Sequence, residues 1–145
     1  MSVVAHDPLL DSGHPAWRLA RNVSLDGLLE VSDVVSLHVP LTEATRHMIA
    51  AAQLRSMKKD AILINAARGG VIDEAGLAAA LREGRLGGAA LDVFEQEPLS
   101  AEAGAKFIGL PNLLLTPHVA GVTAESNVRV SELIAAKVLA HLETA

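Results

Sequence analysis

The sequence has no cysteine among its 145 residues, which excludes a disulfide framework and a thiolate metal site. Aromatic residues are scarce, with one Trp, two Phe and no Tyr, so a core has to be built from Ala, Val, Leu and Ile. Half of the residues are apolar and a fifth are charged, which is typical of globular proteins. The length predicts one domain over residues 1–145 with a real hydrophobic core.

Basic clusters and long apolar runs are also missing. The net charge is −5 with His neutral, so nucleic acid is not an expected partner. No run approaches the roughly 18 apolar residues of a membrane span, and no basic segment precedes the first apolar run as in a signal peptide. The histidines and acidic residues show no spacing suited to metal ligation, so we expect no metal. These absences predict a soluble cytoplasmic protein.

Predicted strands alternate with predicted helices along the whole chain. Apolar runs predict strands over residues 2–6, 33–39, 61–65, 88–93 and 112–116. Capping signals and apolar spacing predict helices over 25–30, 50–57, 73–84 and from 123 onward, while 9–22 is interpreted as a loop with one helical turn around 17–21. Continuously apolar strands are typical of a parallel sheet covered on both faces. The expected fold class is α/β, a doubly wound, Rossmann-like parallel sheet.

The glycine loop that binds phosphate in dinucleotide folds is absent from the sequence. Such folds carry G-x-G-x-x-G about 20 residues before an acid that binds the adenosine ribose. Asp7 ends the first predicted strand as that acid would, but Gly69-Gly70 and Gly87-Gly88 lack the required spacing. We therefore expect an incomplete fold, without its usual first strand and glycine loop. The opening strand would then pair elsewhere, exchange with a second copy, or be completed by another polypeptide.

Charged side chains follow three of the predicted strands. Arg68 follows one apolar run, Asp92 and Glu97 follow a second, and His118 follows a third. The carboxyl ends of parallel strands face one crevice, where ligands bind, so the pattern predicts an active site. Taken singly, each residue has a structural alternative: a surface ion pair, strand-end or loop carboxylates, and a packed histidine. We interpret the other histidines as surface or packing residues, with His38 ending a strand.

Five segments carry a resemblance to the D-isomer-specific 2-hydroxyacid dehydrogenases: AHDP, SLHVPLTEATRHMI, INAARGGVIDE, GAALDVFEQEP and LLLTPHVAG. The similarity extends over nearly all of the chain, begins after the family's glycine loop and includes none of the N-terminal substrate domain. It implies an oxidoreductase that transfers a hydride between NAD and a small D-2-hydroxy acid or 2-keto acid. Phosphoglycerate, hydroxypyruvate, lactate and sulfolactate all stay open as substrates.

The resemblance assigns catalytic roles to three residues. Arg68 matches the arginine that holds the substrate carboxylate and C2 oxygen, for which a planar guanidinium provides a bidentate fork. His118 matches the general acid/base, a task suited to imidazole. Glu97 matches the carboxylate that orients the ring of His118 and stabilises the imidazolium.

The resemblance also implies NAD as the cofactor, because a carboxylate at Asp7 would repel the 2′-phosphate of NADP. The implied cofactor contacts are Asp7, Val39, Pro40, Ala66, Ala67, Arg68, Asp92, His118, Val119, Ala120 and Gly121. Without a glycine loop and a domain that closes the cleft, we expect the isolated chain to be inactive. The alternative is a non-catalytic fragment or an assembly or binding subunit. Family members are usually dimers, so a homodimer is expected, with strand exchange as one form of it.

Overall fold

The computed structural model describes residues 2–143 as an α/β fold with two parallel sheets. Strands β1 (Val4–Ala5) and β2 (Arg21–Asn22) form a two-stranded sheet. A four-stranded sheet follows in the order β3 (Val34–Leu37), β4 (Ile62–Asn65), β5 (Gly88–Leu91) and β6 (Leu113–Leu115). All pairings in both sheets are parallel, as the alternation of strands and helices predicts.

Within residues 2–143, five helices connect or follow the strands. They are α1 (Leu25–Val31), α2 (Ala51–Ser56), α3 (Glu74–Arg82), α4 (Ala101–Gly104) and α5 (Ala124–Glu143), with 3-10 turns at Pro15–Arg18 and Ala105–Phe107. The sequence did not predict α4 or the turn that follows it. No helix in the described residues is long and apolar enough to cross a membrane.

Helices α1 to α3 cover one face of the four-stranded sheet. Val35, Leu37 and Leu63 are buried and join one apolar cluster with Leu77 of α3. On the opposite face Val34 is 56% exposed, and burial alternates along β3 and β4. Three of the four residues of β5 are buried, so the exposure is confined to part of that face in the described residues. The expected fold class, an incomplete Rossmann-like parallel sheet, is confirmed.

The opening strand pairs within the chain rather than being left alone. Val4 lies opposite Arg21 and Ala5 lies opposite Asn22, which confirms that β1 finds a partner elsewhere. The strand β2 falls in the segment interpreted as a loop, and the helical turn lies slightly earlier than predicted. A two-residue polar strand has no apolar pattern from which it could be predicted. Strand exchange between copies stays a prediction.

Candidate active site

The carboxyl ends of β4, β5 and β6 lie side by side at one edge of the sheet. The backbone N–H of Asp92, after β5, donates to the carbonyl of Asn65 in β4 at 2.9 Å. The N–H of Thr116, after β6, donates to the carbonyl of Leu91 in β5 at 3.0 Å. The loops that carry the predicted catalytic residues therefore leave the sheet next to one another.

Glu97 and His118 form a direct carboxylate–imidazole pair. Glu97 Oε2 lies 2.7 Å from His118 Nδ1, and Glu97 Oε1 accepts the backbone N–H of Phe94 at 2.9 Å. The Phe94 N–H and the His118 ring hold the pKa of Glu97 below its ordinary value, against the opposing effect of burial. Because Nδ1 faces an anion, it carries hydrogen and leaves Nε2 to exchange a proton with a ligand. Half of the His118 side chain is exposed.

The backbone of His118 is left-handed, with φ of 55°. Such a conformation is uncommon outside glycine and costs about 1–2 kcal/mol. The carboxylate of Asp92 holds the turn by accepting the N–H groups of Val119 and Ala120, each at 2.9 Å, and the hydroxyl of Thr116. Asp92 thus fixes the chain on both sides of the histidine.

Asp92 is only 5% exposed. Burial acts to raise its pKa, but the hydrogen bonds from Thr116, Ala120 and Val119 outweigh burial, and together with His118 they lower the pKa below its ordinary value. Both carboxylate oxygens are already engaged within the chain. The contact of Asp92 with the nicotinamide end of the cofactor stays a prediction.

Arg68 lies on an exposed loop after β4, and its guanidinium donates to the carbonyl of Ala67. The turn is held by Asn65, which is 2% exposed. Asn65 accepts the N–H of Ala67 at 3.1 Å and donates to the carbonyl of Arg68 at 3.0 Å. In the part of the chain that the structure describes, no carboxylate pairs with Arg68. The cation is therefore available to an anionic ligand, which argues against the surface ion pair.

Gly69 brings the loop of Arg68 against the loop of Glu97. A Cβ added to Gly69 would lie 1.7 Å from the carbonyl oxygen of Phe94 and 2.3 Å from its carbon. Only glycine permits this approach of two backbones. The sequence shows the Gly69-Gly70 pair, but the partner is 25 residues away along the chain and was not predictable.

A cleft of about 280 Å³ opens beside this edge, lined by His38, Val39, Pro40, Ala67 and Arg68. Four of these residues were predicted to contact cofactor or substrate. The fifth, His38, has Nε2 2.9 Å from Ser36 Oγ and was interpreted only as the end of a strand, which missed its place in the cleft. The lining combines three apolar side chains with an imidazole and a guanidinium, so it offers both apolar contact and hydrogen-bond donors to a ligand.

The remaining predicted cofactor contacts lie on exposed or half-buried loops. Ala66 is exposed in the turn held by Asn65, and Gly121 lies in the turn after His118, where its carbonyl accepts the Ser126 hydroxyl at 2.6 Å. Asp7 follows β1 in the other sheet, and its Oδ1 accepts the N–H of Leu9 at 2.9 Å. Its second carboxylate oxygen has no partner in the described residues, so it fits the proposed bond to a ribose hydroxyl.

Residues 1–120 match the family model described as D-isomer specific 2-hydroxyacid dehydrogenase, NAD binding domain. The chain belongs to this family. It is 53% identical over 132 residues to the (S)-sulfolactate dehydrogenase of Chromohalobacter salexigens. The aligned residues make up 90% of this chain and 42% of that relative. It is 50% identical over 118 residues to the glyoxylate reductase of Korarchaeum cryptofilum. Here the aligned residues make up 81% of this chain and 35% of the relative.

Solved dehydrogenase structures share the fold. The D-lactate dehydrogenase from Aquifex aeolicus, complexed with NAD and lactic acid, superposes with a TM-score of 0.85 at 34% identity over 99% of this chain and 47% of that one. A D-lactate dehydrogenase from Sporolactobacillus sp. superposes with a TM-score of 0.86 at 36% identity, over 99% of this chain and 46% of that one. The chain spans less than half the length of these relatives. The family, the Rossmann-like fold and NAD as the family's cofactor are confirmed.

Proposed function

We propose that this chain is the NAD-binding part of an oxidoreductase that interconverts a small D-2-hydroxy acid and its 2-keto acid. The observation that carries the proposal is the Glu97–His118 pair at 2.7 Å, whose free Nε2 lies at the same sheet edge as the unpaired Arg68. When bound, NAD supplies a hydride acceptor for C2 of the hydroxy acid, and NADH supplies the donor in reverse. The proton and the orientation of the acid depend on the chain's own residues.

His118 moves the proton. In oxidation its Nε2 takes the proton of the substrate hydroxyl, and in reduction it returns that proton to the carbonyl oxygen. Glu97 Oε2 accepts the Nδ1–H, which fixes the tautomer and stabilises the imidazolium while it exists. Asp92 holds the backbone on which the ring is mounted.

Arg68 binds and orients the acid. Two parallel N–H groups of a guanidinium match the two oxygens of a carboxylate, and this geometry fixes the position of the neighbouring C2. A lysine ammonium lacks that planar fork. The contact of Gly69 with Phe94 fixes the Arg68 loop relative to the loop of the acid–base pair.

All of the candidate substrates present a carboxylate next to a carbon that bears oxygen, which is the group that Arg68 and His118 fit. The named activities of the relatives, (S)-sulfolactate dehydrogenase and glyoxylate reductase, define the acids to test, with glycerate and lactate. Asp7 and the cleft beside Pro40 would hold the cofactor. Because the sequence has no G-x-G-x-x-G loop to bind the pyrophosphate, we expect weak NAD binding at best and negligible turnover from this chain alone.

Calorimetric titration of the chain with NADH tests the proposal first. Micromolar binding supports an NAD site built by this chain. Absence of heat at millimolar NADH contradicts an independent NAD site and favours the alternative, a non-catalytic fragment or binding subunit.

His118→Ala then tests the chemistry in a full-length version that carries a glycine loop and a substrate domain, because we expect the isolated chain to be inactive. The measurement is NADH oxidation by glyoxylate, pyruvate, hydroxypyruvate and sulfopyruvate. We expect turnover to fall about 10²- to 10⁴-fold, as when a general acid/base is removed, while NADH binding is retained. The control is His14→Asn, since His14 is exposed and only caps the turn at Pro15–Arg18. Full turnover in His118→Ala would remove this residue from the mechanism.

We also propose that two copies of the chain associate. The support is the family resemblance together with α5, in which the structure describes no buried residue although the helix carries several large apolar side chains.

A further inference from the structure

Two carboxylates outside the candidate active site exchange backbone hydrogen bonds. The N–H of Glu74 donates to Glu95 Oε1 at 3.0 Å, and the N–H of Glu95 donates to Glu74 Oε1 at 2.7 Å. The two residues lie 21 positions apart, one opening α3 and one in the loop after β5. We call this reciprocal pair, Glu74 and Glu95, the carboxylate clasp.

Two cationic side chains complete the carboxylate clasp. Glu74 is 3% exposed, and its second oxygen accepts from Lys106 Nζ at 2.7 Å. Lys106 Nζ also lies 3.9 Å from Glu95 Oε2, and His47 Nε2 lies 3.1 Å from Glu95 Oε1. A buried carboxylate is tolerated only when it is paired and hydrogen-bonded, and here both conditions hold. Neither acid takes part in the contacts of Arg68 or His118.

The carboxylate clasp fixes the loop that presents Glu97. Phe94, which donates its N–H to Glu97 Oε1, immediately precedes Glu95, and Glu97 follows two residues later. The Phe94 ring is buried and its centre lies 6.4 Å from that of Phe107, next to Lys106. Two contacts therefore anchor the loop that carries Glu97: the Glu95 N–H bonds to Glu74, and the Phe94 ring packs near Phe107. The position of the Glu97 carboxylate against the imidazole depends on this loop.

We propose that Glu95 and Glu74 are positioning residues, which hold the loop from Phe94 to Glu97 so that Glu97 meets His118. The proposal rests on the acid–base role proposed above for that pair. In the described residues, neither side chain of the clasp bonds to Arg68, Glu97 or His118. A clasp that only stabilised the fold would not set the protonation of Glu97, and this difference can be measured without any ligand.

The test is an NMR titration of the Glu97 side-chain carboxyl carbon in the unmodified chain and in Glu74→Ala, which removes the carboxylate that accepts the backbone N–H of Glu95. We expect the variant to raise the pKa of Glu97 toward its ordinary value, because the Phe94 N–H and the His118 ring are no longer held against the carboxylate. The other charged group facing Glu97 is Asp92, which the variant leaves in place. Loss of a nearby negative charge alone would lower this pKa, so an upward shift reports lost positioning.

Glu74→Gln is the conservative variant, since its amide oxygen still accepts the Glu95 N–H, and it should keep the pKa of Glu97 low. Glu102→Ala removes an exposed carboxylate on α4 and should cause no shift. Glu74→Asp, whose carboxylate is too short to reach the Glu95 N–H, replaces Glu74→Ala where that variant fails to fold. An unchanged or lowered pKa of Glu97 in the folded Ala or Asp variant overturns the proposal. The titration uses neither NADH nor substrate, so failure of the proposed function gives a separate result.

Discussion

Among the described residues, His118 and His47 are the non-glycine positions with left-handed φ, at 55° and 50°. Each is held there by contacts from distant parts of the chain. Asp92 bonds the N–H groups that follow His118, while the N–H of His47 donates to the carbonyl of Gly70 at 2.8 Å and its ring pairs with Glu95. Histidine is enriched in this conformation relative to most residues but still adopts it only rarely, so the sequence could not predict it. Strain of this kind persists only where the surroundings overdetermine the backbone.

Asp92→Asn tests the energetic role of the buried carboxylate. The hydroxyl of Thr116 and the N–H groups of Val119 and Ala120 all donate to Asp92, and an asparagine would turn an NH₂ group, itself a donor, toward some of them. At neutral pH we therefore expect the free energy of unfolding to fall by about 1–3 kcal/mol. The pKa of Asp92 is lowered in the folded state, so its carboxylate contributes stability above its unfolded pKa. That contribution is lost as pH falls through the folded pKa, below about pH 4. Urea denaturation of both proteins from neutral to acidic pH measures the difference.

The difference between the parent chain and Asp92→Asn should therefore shrink in acid. Asp60→Asn, at an exposed aspartate, is the matched control and should change little at any pH. A gap that stays constant across the acidic range would mean that the charge of Asp92 does not hold the turn.

At the scale of elements, the sequence was sufficient to predict the ends of helices that are fixed by neighbouring residues in the chain. Ser24 and Asp73 accept backbone N–H groups at the starts of α1 and α3, and Gly84 ends α3 with φ of 66°, all as predicted from capping patterns. β2 was missed because it is a two-residue polar strand that depends on pairing with β1. α4 is also short and was missed, although Ser100 accepts the N–H of Ala103 at its start.

Gly69→Ala tests the close approach of two loops. The added Cβ would overlap the backbone of Phe94, so the two loops have to separate, and we expect a loss of about 1–3 kcal/mol in unfolding free energy. The Glu97–His118 signals should shift in NMR spectra at the same time. Gly13→Ala is the control, because its nearest neighbour would be 3.5 Å away. Equal stability of both variants would show that the loops separate without cost.

Across the whole molecule, the reactive groups were more predictable than the residues that hold them. Arg68, Glu97 and His118 follow apolar strands in sequence, and parallel topology brings strand ends to one edge; their catalytic roles stay predictions. Asn65 and Glu74 gave no such signal, because one is the last residue of a strand and the other resembles any acid in a first helical turn. What identifies Glu74 is a bond to a residue 21 positions away.

The exposed apolar residues of the long C-terminal helix α5 predict that the molecule associates with a second copy. Val130, Ile134 and Val138 of α5 are spaced four apart on one face and each is more than half exposed, which is the pattern of a helix that buries a face against a partner. We expect sedimentation equilibrium to show a homodimer, which Ile134→Glu dissociates by placing a charge in the apolar face. Ala136→Glu, on the other side of the helix, should leave the mass unchanged. A monomer at every concentration up to near-millimolar, or equal effects of both substitutions, would contradict association of two copies through α5.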